Sequence, residues 1–296
     1  MSGQLRYSFK KEISQFFRTF VFLGMALAIF GFAIANPLMA KFSGILFREM
    51  DKMSAPTQAA QISVSVPEEG EGLLGGIGIG EMADFYNNGA MMFATSLVSF
   101  ASYSLLIVML VMRSTSGGEQ KKRAMIVPLC SGLQNKNYLI PKFIIYPLSS
   151  FAMTFLGGLL SGGLCNALFD NGKIGFGMIE IGSLLMAIYI MFVITVYMSL
   201  GLCTSRPGIM TGAVFVGQMI LQSFLEGIRL EGYQPFALVT AVNRMFASEN
   251  YLSENTANIL VSAGLALVIS VLMYFLALGV LNAKRIDNQE EDKPAF

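Results

Sequence analysis

The chain has 296 residues, of which 54% are apolar and only 13% charged, and its ionisable side chains nearly cancel to a net charge of +1. A typical soluble domain is about 25% charged, so charge is depleted here, and the near-neutral balance gives no sign of a nucleic-acid partner. Histidine is absent, which removes the commonest neutral-pH proton shuttle and metal ligand.

Residues 6–17 interleave Tyr7, Phe9, Ile13, Phe16 and Phe17 with Lys10, Lys11 and Glu12. That pattern predicts an amphipathic helix at the inner headgroup surface, or else a basic flank that orients the next segment. Six apolar runs follow, over 19–40, 90–112, 143–165, 178–202, 209–225 and 259–281. Each is about as long as a bilayer is thick, since roughly 20 helical residues cross the hydrocarbon core. The expected fold is therefore an all-α integral membrane protein with six transmembrane helices, forming a single transmembrane domain over 1–296. Ala33-Ile34-Ala35 resembles a signal-peptidase site. The first apolar run continues through it to Ala40, which favours an uncleaved first span. With the N-terminus inside, fourteen Lys and Arg fall in inner segments and six in outer ones, so both termini are expected in the cytoplasm.

The outer loop 41–89 carries seven carboxylates and a run of glycines. Gly70-Glu71-Gly72-Leu73-Leu74-Gly75 matches a nucleotide fingerprint by letter alone, because its carboxylates would crowd a phosphate. The acidic spacing fits no EF-hand. The stretch reads as an exposed loop with a short helix near 42–50.

In the second span Thr95, Ser99 and Ser102 share one helical face. In the fifth, Thr211, Gln218, Gln222 and Glu226 do the same. Polar side chains in lipid are costly unless they face protein or water, so both stripes are expected to point at a neighbouring span or an aqueous path. Helix packing and the wall of a translocation route both satisfy that requirement. Gly158 and Gly162 form a GxxxG close-packing face in the third span, where Pro147 is expected to introduce a kink. Glu180 near the start of the fourth span is favoured by the helix dipole. The segment 232–258 is expected outside, with its Pro235–Val239 stretch dipping toward the outer leaflet.

The inner loop 113–142 is the richest segment. Glu119, Gln120, Lys121, Lys122 and Arg123 lead into Ala124, Met125, Ile126 and Val127, and Pro128 ends the run. A surface anchor needs only the charges. The apolar tip Met125-Ile126-Val127 predicts a short helix that docks on another protein.

No catalytic pattern appears. There is no GxxxxGK[ST], HExxH or GxSxG, and no pair of intramembrane aspartates. Cys130, Cys165 and Cys203 form no CxxC pair and read as small hydrophobes rather than a disulfide framework. Ion-coupled transport is disfavoured by the near lack of ionisable residues within the spans. The chain is expected to move or hold something while another component supplies the energy.

The order of parts resembles the membrane subunit (permease) of type-2 ATP-binding-cassette (ABC) transporters of exporter type. The resemblance rests on the basic amphipathic N-terminus, the six spans and the run Gly118-Glu119 … Met125-Ile126-Val127-Pro128 … Gly132-Leu133 … Tyr138 … Pro141-Lys142-Phe143. The ending Asn282-Ala283-Lys284-Arg285-Ile286-Asp287 carries it further. The Gly-Thr pair common in that loop is replaced by Lys121-Lys122-Arg123.

The resemblance implies a bacterial plasma-membrane assembly of two permeases, either a second copy or a sister chain, with two ABC ATPase subunits. Glu119 to Pro128 would form a cytoplasmic coupling helix seated on the ATPase. Thr95, Ser99, Ser102, Thr211, Gln218 and Gln222 would face the route. This chain would hold no cofactor, with ATP and Mg on the partner, and would not itself be an enzyme. The cargo would be a peptide, lipid-like or drug-like molecule. An immunity or sensing protein that binds an antimicrobial peptide without transport is the alternative reading.

Overall fold

The computed structural model describes residues 3–54, 85–113, 115, 133–204, 207–227, 233–248 and 250–291. Among them the elements are helices, with no strand: α1 (Gly3–Arg18), α2 (Phe20–Ser54), α3 (Gly89–Met112), α4 (Asn135–Leu168), α5 (Phe176–Cys203), α6 (Pro207–Gly227), α7 (Ala237–Ala247) and α8 (Tyr251–Glu291). Helix is the form that satisfies every backbone polar group within one segment, as an apolar solvent requires. Five helices, α2, α3, α4, α5 and α8, are long and apolar enough to cross a membrane.

The expected fifth span is not among these five. Its apolar stretch, Gly208–Gln222, is too short to qualify as a span on its own. The whole of α6 has 21 residues, or about 31 Å of rise at 1.5 Å per residue. It runs antiparallel to α5, since Thr211 meets Tyr197 and Gln218 meets Tyr189.

Several helices overrun the segments that hydropathy marks. α2 continues through 41–54, the first part of the expected outer loop. Its 35 residues rise about 52 Å, well beyond a hydrocarbon core about 30 Å thick. Good helix formers (Lys41, Leu46, Arg48, Glu49, Met50, Lys52 and Met53) make up half of this extension, and Pro56 follows close after it in the sequence. α4 likewise begins at Asn135, so residues 135–142 of the expected inner loop are its first two turns, with Pro141 and Pro147 inside the helix. α8 starts at Tyr251, and α7 occupies part of the segment expected to lie outside.

Contacts between helix ends sort the bundle into two ends. At one, Asn88 caps α3 by accepting from the Ala90 N–H at 3.0 Å, and the Gly89 N–H bonds the Asn171 carbonyl at 2.9 Å. Gly172 adopts φ +66°, and its missing Cβ leaves room for the Asn88 side chain. That pairing of left-handed backbone and close approach needs glycine. Asn166 braces the same turn through both its amide atoms, bonding the Ile174 N–H and carbonyl at 2.9 and 2.8 Å. At the other end lie α1, the start of α2, the end of α3, the start of α4 and the end of α8. Val111 packs on Gly24 there, and Asn135 donates to Asn282 at 2.7 Å.

The expected GxxxG face does pack closely. A methyl on Gly158 would stand 2.7 Å from Ser183 Cβ, and one on Gly162 would stand 3.0 Å from Ile179 Cγ1, both on α5. On the flank, Gly157 admits Ile29 of α2, which a methyl would meet at 2.8 Å. Close backbone approach of this kind replaces the hydrophobic drive that lipid cannot supply. Gly163 faces open space. Gly158→Ala is expected to destabilise the detergent-solubilised chain by about 1–3 kcal/mol through overpacking. Gly163→Ala is expected to be silent in the same unfolding assay.

Candidate functional site

Two polar arrangements stand out in this apolar bundle. The first centres on Gln218 of α6, a residue the seven-residue spacing singles out. Its side chain is buried. Oε1 accepts from the Tyr189 hydroxyl of α5 at 3.0 Å, and Nε2 donates to the Ala101 carbonyl of α3 at 3.4 Å. One amide thus ties three helices together. The Ala101 carbonyl is available because α3 widens into a π-helical turn over Phe100–Ser104, where the Leu105 N–H bonds the Phe100 and Ser102 carbonyls rather than that of Ala101. Such bulges free a carbonyl from the regular i→i+4 ladder. No residue pattern announces this turn.

Two turns away, buried Thr211 shares a hydrogen bond of 3.1 Å with the Tyr197 hydroxyl. Beside Gln218 a cavity of about 270 Å³ opens between α5 and α6, lined by Phe192, Val196, Met210, Val214, Gln218 and Phe236 among others. Apart from the amide its walls are apolar, so it suits a hydrocarbon or aromatic group.

The second-span stripe sits differently. Thr95 is exposed, while Ser99 and Ser102 are half-buried. Their hydroxyls bond back to the Met91, Thr95 and Val98 carbonyls of their own helix at 2.9, 2.9 and 3.4 Å. The structure therefore gathers Thr211 and Gln218 into helix contacts and leaves Thr95 on the outer surface of the chain. Gln222 is half-buried on α6.

The second arrangement was not expected from the sequence. α1 turns the polar stripe Ser8 and Glu12, followed by Phe16, toward the bundle, and leaves Tyr7, Ile13 and Phe17 exposed beside Lys10, Lys11 and Arg18. Glu12 Oε1 meets Lys142 Nζ of α4 at 3.2 Å, with the two side chains only 4% and 2% exposed. The ammonium also lies 5.2 Å from the centre of the Tyr138 ring. Asn137 donates to Gln4 at 3.1 Å, and Phe16 meets Tyr146 edge-on at 5.5 Å between ring centres. Behind this clamp Tyr138, Leu139, Leu202, Ala277 and Leu281 form their own cluster, joining the start of α4 to the ends of α5 and α8. The exposed mixture of cations and apolar rings on α1 suits a headgroup surface, with long basic side chains reaching outward.

The expected docking residues Glu119, Lys121, Lys122, Arg123, Met125, Ile126, Val127 and Pro128 lie outside the described residues, as do Cys130 and the glycine-rich part of the loop 41–89. Their flanks are described. Val111, close to the end of α3, and Asn135, the start of α4, both sit at the α1 end. Cys165 is buried and free, and no cluster of metal-ligating side chains occurs among the described residues.

Breaking a buried ion pair leaves a charge without compensation and costs about 3–5 kcal/mol, whereas replacing both partners by apolar groups is often neutral. Glu12→Gln and Lys142→Met are each expected to destabilise the chain on that scale. The double variant Glu12→Leu with Lys142→Met is expected to recover most of the loss when unfolding is followed in detergent. No family model, curated protein or solved structure matches this chain.

Proposed function

We propose that this chain is the permease subunit of an ATP-driven exporter, powered by a separate ABC ATPase that holds the ATP and Mg. The observation that carries the reading is the clamp at the α1 end. The basic segment with the apolar tip Met125-Ile126-Val127 joins α3 to α4, and α3 ends and α4 begins at the end of the bundle where Glu12 and Lys142 hold α1 against α4. A push delivered to that segment would be passed to the first turns of α4, and through the Leu139–Leu202–Leu281 cluster to α5 and α8. The sequence has no nucleotide-binding pattern of its own, in keeping with an engine on another chain.

In this reading Gln218 and the cavity beside it lie on the element that moves. α6 is held to α5 and α3 by a few hydrogen bonds through Gln218 and Thr211. Interhelical bonds in membranes contribute only about 0.6–2 kcal/mol each, so a nucleotide-driven stroke has enough energy to rearrange them. The apolar cavity suits a peptide, lipid-like or drug-like cargo presenting a hydrophobic group. Coupling then requires that the ATPase and the cargo each bind the inward-open and outward-open states with different affinity.

The test is co-purification. A P-loop ATPase is expected to accompany the tagged full-length chain from native membranes. It should be lost when Met125, Ile126 and Val127 are all replaced by Asp, while the chain remains folded and inserted. Retention of the ATPase by the triple variant, or none bound to the unaltered chain, would overturn the assignment.

A further inference from the structure

Tyrosine-length side chains bridge α5 and α6 at two levels. The Tyr189 hydroxyl reaches Gln218 at 3.0 Å, and the Tyr197 hydroxyl meets Thr211 at 3.1 Å. The two levels are about two helical turns apart. Beside these bridges α6 turns small residues, Ala213 and Gly217, toward the gap. A Cβ built on Gly217 would have nothing within 4 Å. Long spacers with small residues beside them keep the two helices apart, and the cavity of about 270 Å³ is the result.

The cavity is a long, narrow slot. Its lining runs from Phe192 to Leu200 on α5 and from Met210 to Leu221 on α6, about 12 and 16 Å at 1.5 Å per residue. Spread over that length, its volume leaves a cross-section of about 20 Å², the width of one alkyl chain. One end lies at Leu200, close to Leu202 in the cluster at the α1 end. The other is closed by Phe236, whose ring stands edge-on to Tyr189 and Phe192 at 6.3 and 5.9 Å between centres. Gln218, near that closed end, is about 16 Å along α6 from its start at Pro207. The slot therefore covers one half of a hydrocarbon core about 30 Å thick, which is the reach of the chains of one leaflet. Ala213 and Leu221 on its margin are exposed, so it opens on the flank of the bundle.

We propose that this slot takes a single alkyl chain of a lipid-like amphiphile. The chain enters from the flank, with its polar end at the α1 side and its terminus under Phe236. Walls of valine, leucine and methionine exclude water. Lipid is as apolar as the slot, so the chain is held by close packing rather than by escape from water. Use of the bound molecule as cargo rests on the permease reading. Occupancy of the slot does not, and it is measured with no ATPase present.

The test uses the full chain in phosphatidylcholine nanodiscs and a single-chain probe, lauroyl lysophosphatidylcholine. The probe carries a photoreactive diazirine either at the chain end or beside the headgroup, and labelled residues are read by peptide mass spectrometry. The chain-end probe is expected to mark Phe192 and Phe236, and the headgroup-proximal probe Leu200 and Met210. Gly217→Leu with Ala213→Leu fills the slot and is expected to cut the chain-end labelling about tenfold. Gly212→Leu should leave it unchanged, because Gly212 also has open space around it but lies outside the slot lining. A two-chain phosphatidylcholine probe separates the sources. Slot labelling by both probes supports an alkyl-chain site filled from the bilayer, and labelling by the single-chain probe alone supports one kept for a separate amphiphile. Equal labelling of the filled and unaltered chains would overturn the site. So would labelling of the unaltered chain that does not move with the diazirine, whether or not the filled variant folds. Loss of the ATPase co-purification result would leave this labelling standing, and the reverse holds too.

Discussion

A charge taken out of water must be met by its opposite or the helix that carries it will not stay where it is. Lys142 belongs to α4, and its side chain is covered on all sides. Glu12 meets it from α1, a helix that packs on α4 and α2. The isolated cost of burying either ion runs to several kcal/mol, and mutual attraction offsets it only in good geometry. That requirement fixes the register of α1. Once Glu12 faces α4, the helical repeat brings Ser8 and Phe16 onto the same side and turns the exposed rings and cations outward. A helix of the same composition lying free on the membrane would roll the other way, with its carboxylate in water. The second Glu12 oxygen, Oε2, has no hydrogen-bond partner, so the attraction to Lys142 carries much of the compensation.

Several of the remaining polar groups are satisfied by local means. The Thr95, Ser99 and Ser102 hydroxyls of α3 return to their own backbone, which makes an exposed threonine tolerable in lipid. The α5–α6 contacts use long side chains, tyrosine and glutamine, that reach across a gap rather than closing it. The α4–α5 contact is the opposite, with glycines letting the helices touch. Tight glycine packing on one side of α5 and a spanned cavity on the other give that helix one firm neighbour and one loosely held neighbour. The loosely held one, α6, is also the shortest of the long helices and carries the stripe that its polar spacing flagged.

The apolar runs were legible because hydropathy measures the cost of polar groups in hydrocarbon, and that cost governs residues such as those of 178–202. Their ends were not, because helix propagation depends on backbone hydrogen bonds and continues past the lipid until something stops it. Residues 41–54, 135–142 and 251–258 are all polar enough to leave the membrane and helical enough to keep going. Gln218 and Thr211 were readable from spacing alone. The inward turn of Glu12 was not, since its partner is 130 positions away in the sequence, and a pattern confined to one helix cannot show which face finds a counter-charge. The π-helical turn of α3 has no compositional mark, and it is what gives Gln218 an acceptor on a third helix.

A cytoplasmic engine can drive this bundle only if the segment after α3 lies on the inner side of the membrane. Cys130 lies in that segment and offers a native probe once Cys165 and Cys203 are replaced by Ala. Labelling with a membrane-impermeant maleimide is expected to fail in intact cells and to succeed after permeabilisation. Labelling of Cys130 in intact cells would place the segment on the outer face, out of reach of any cytoplasmic ATPase.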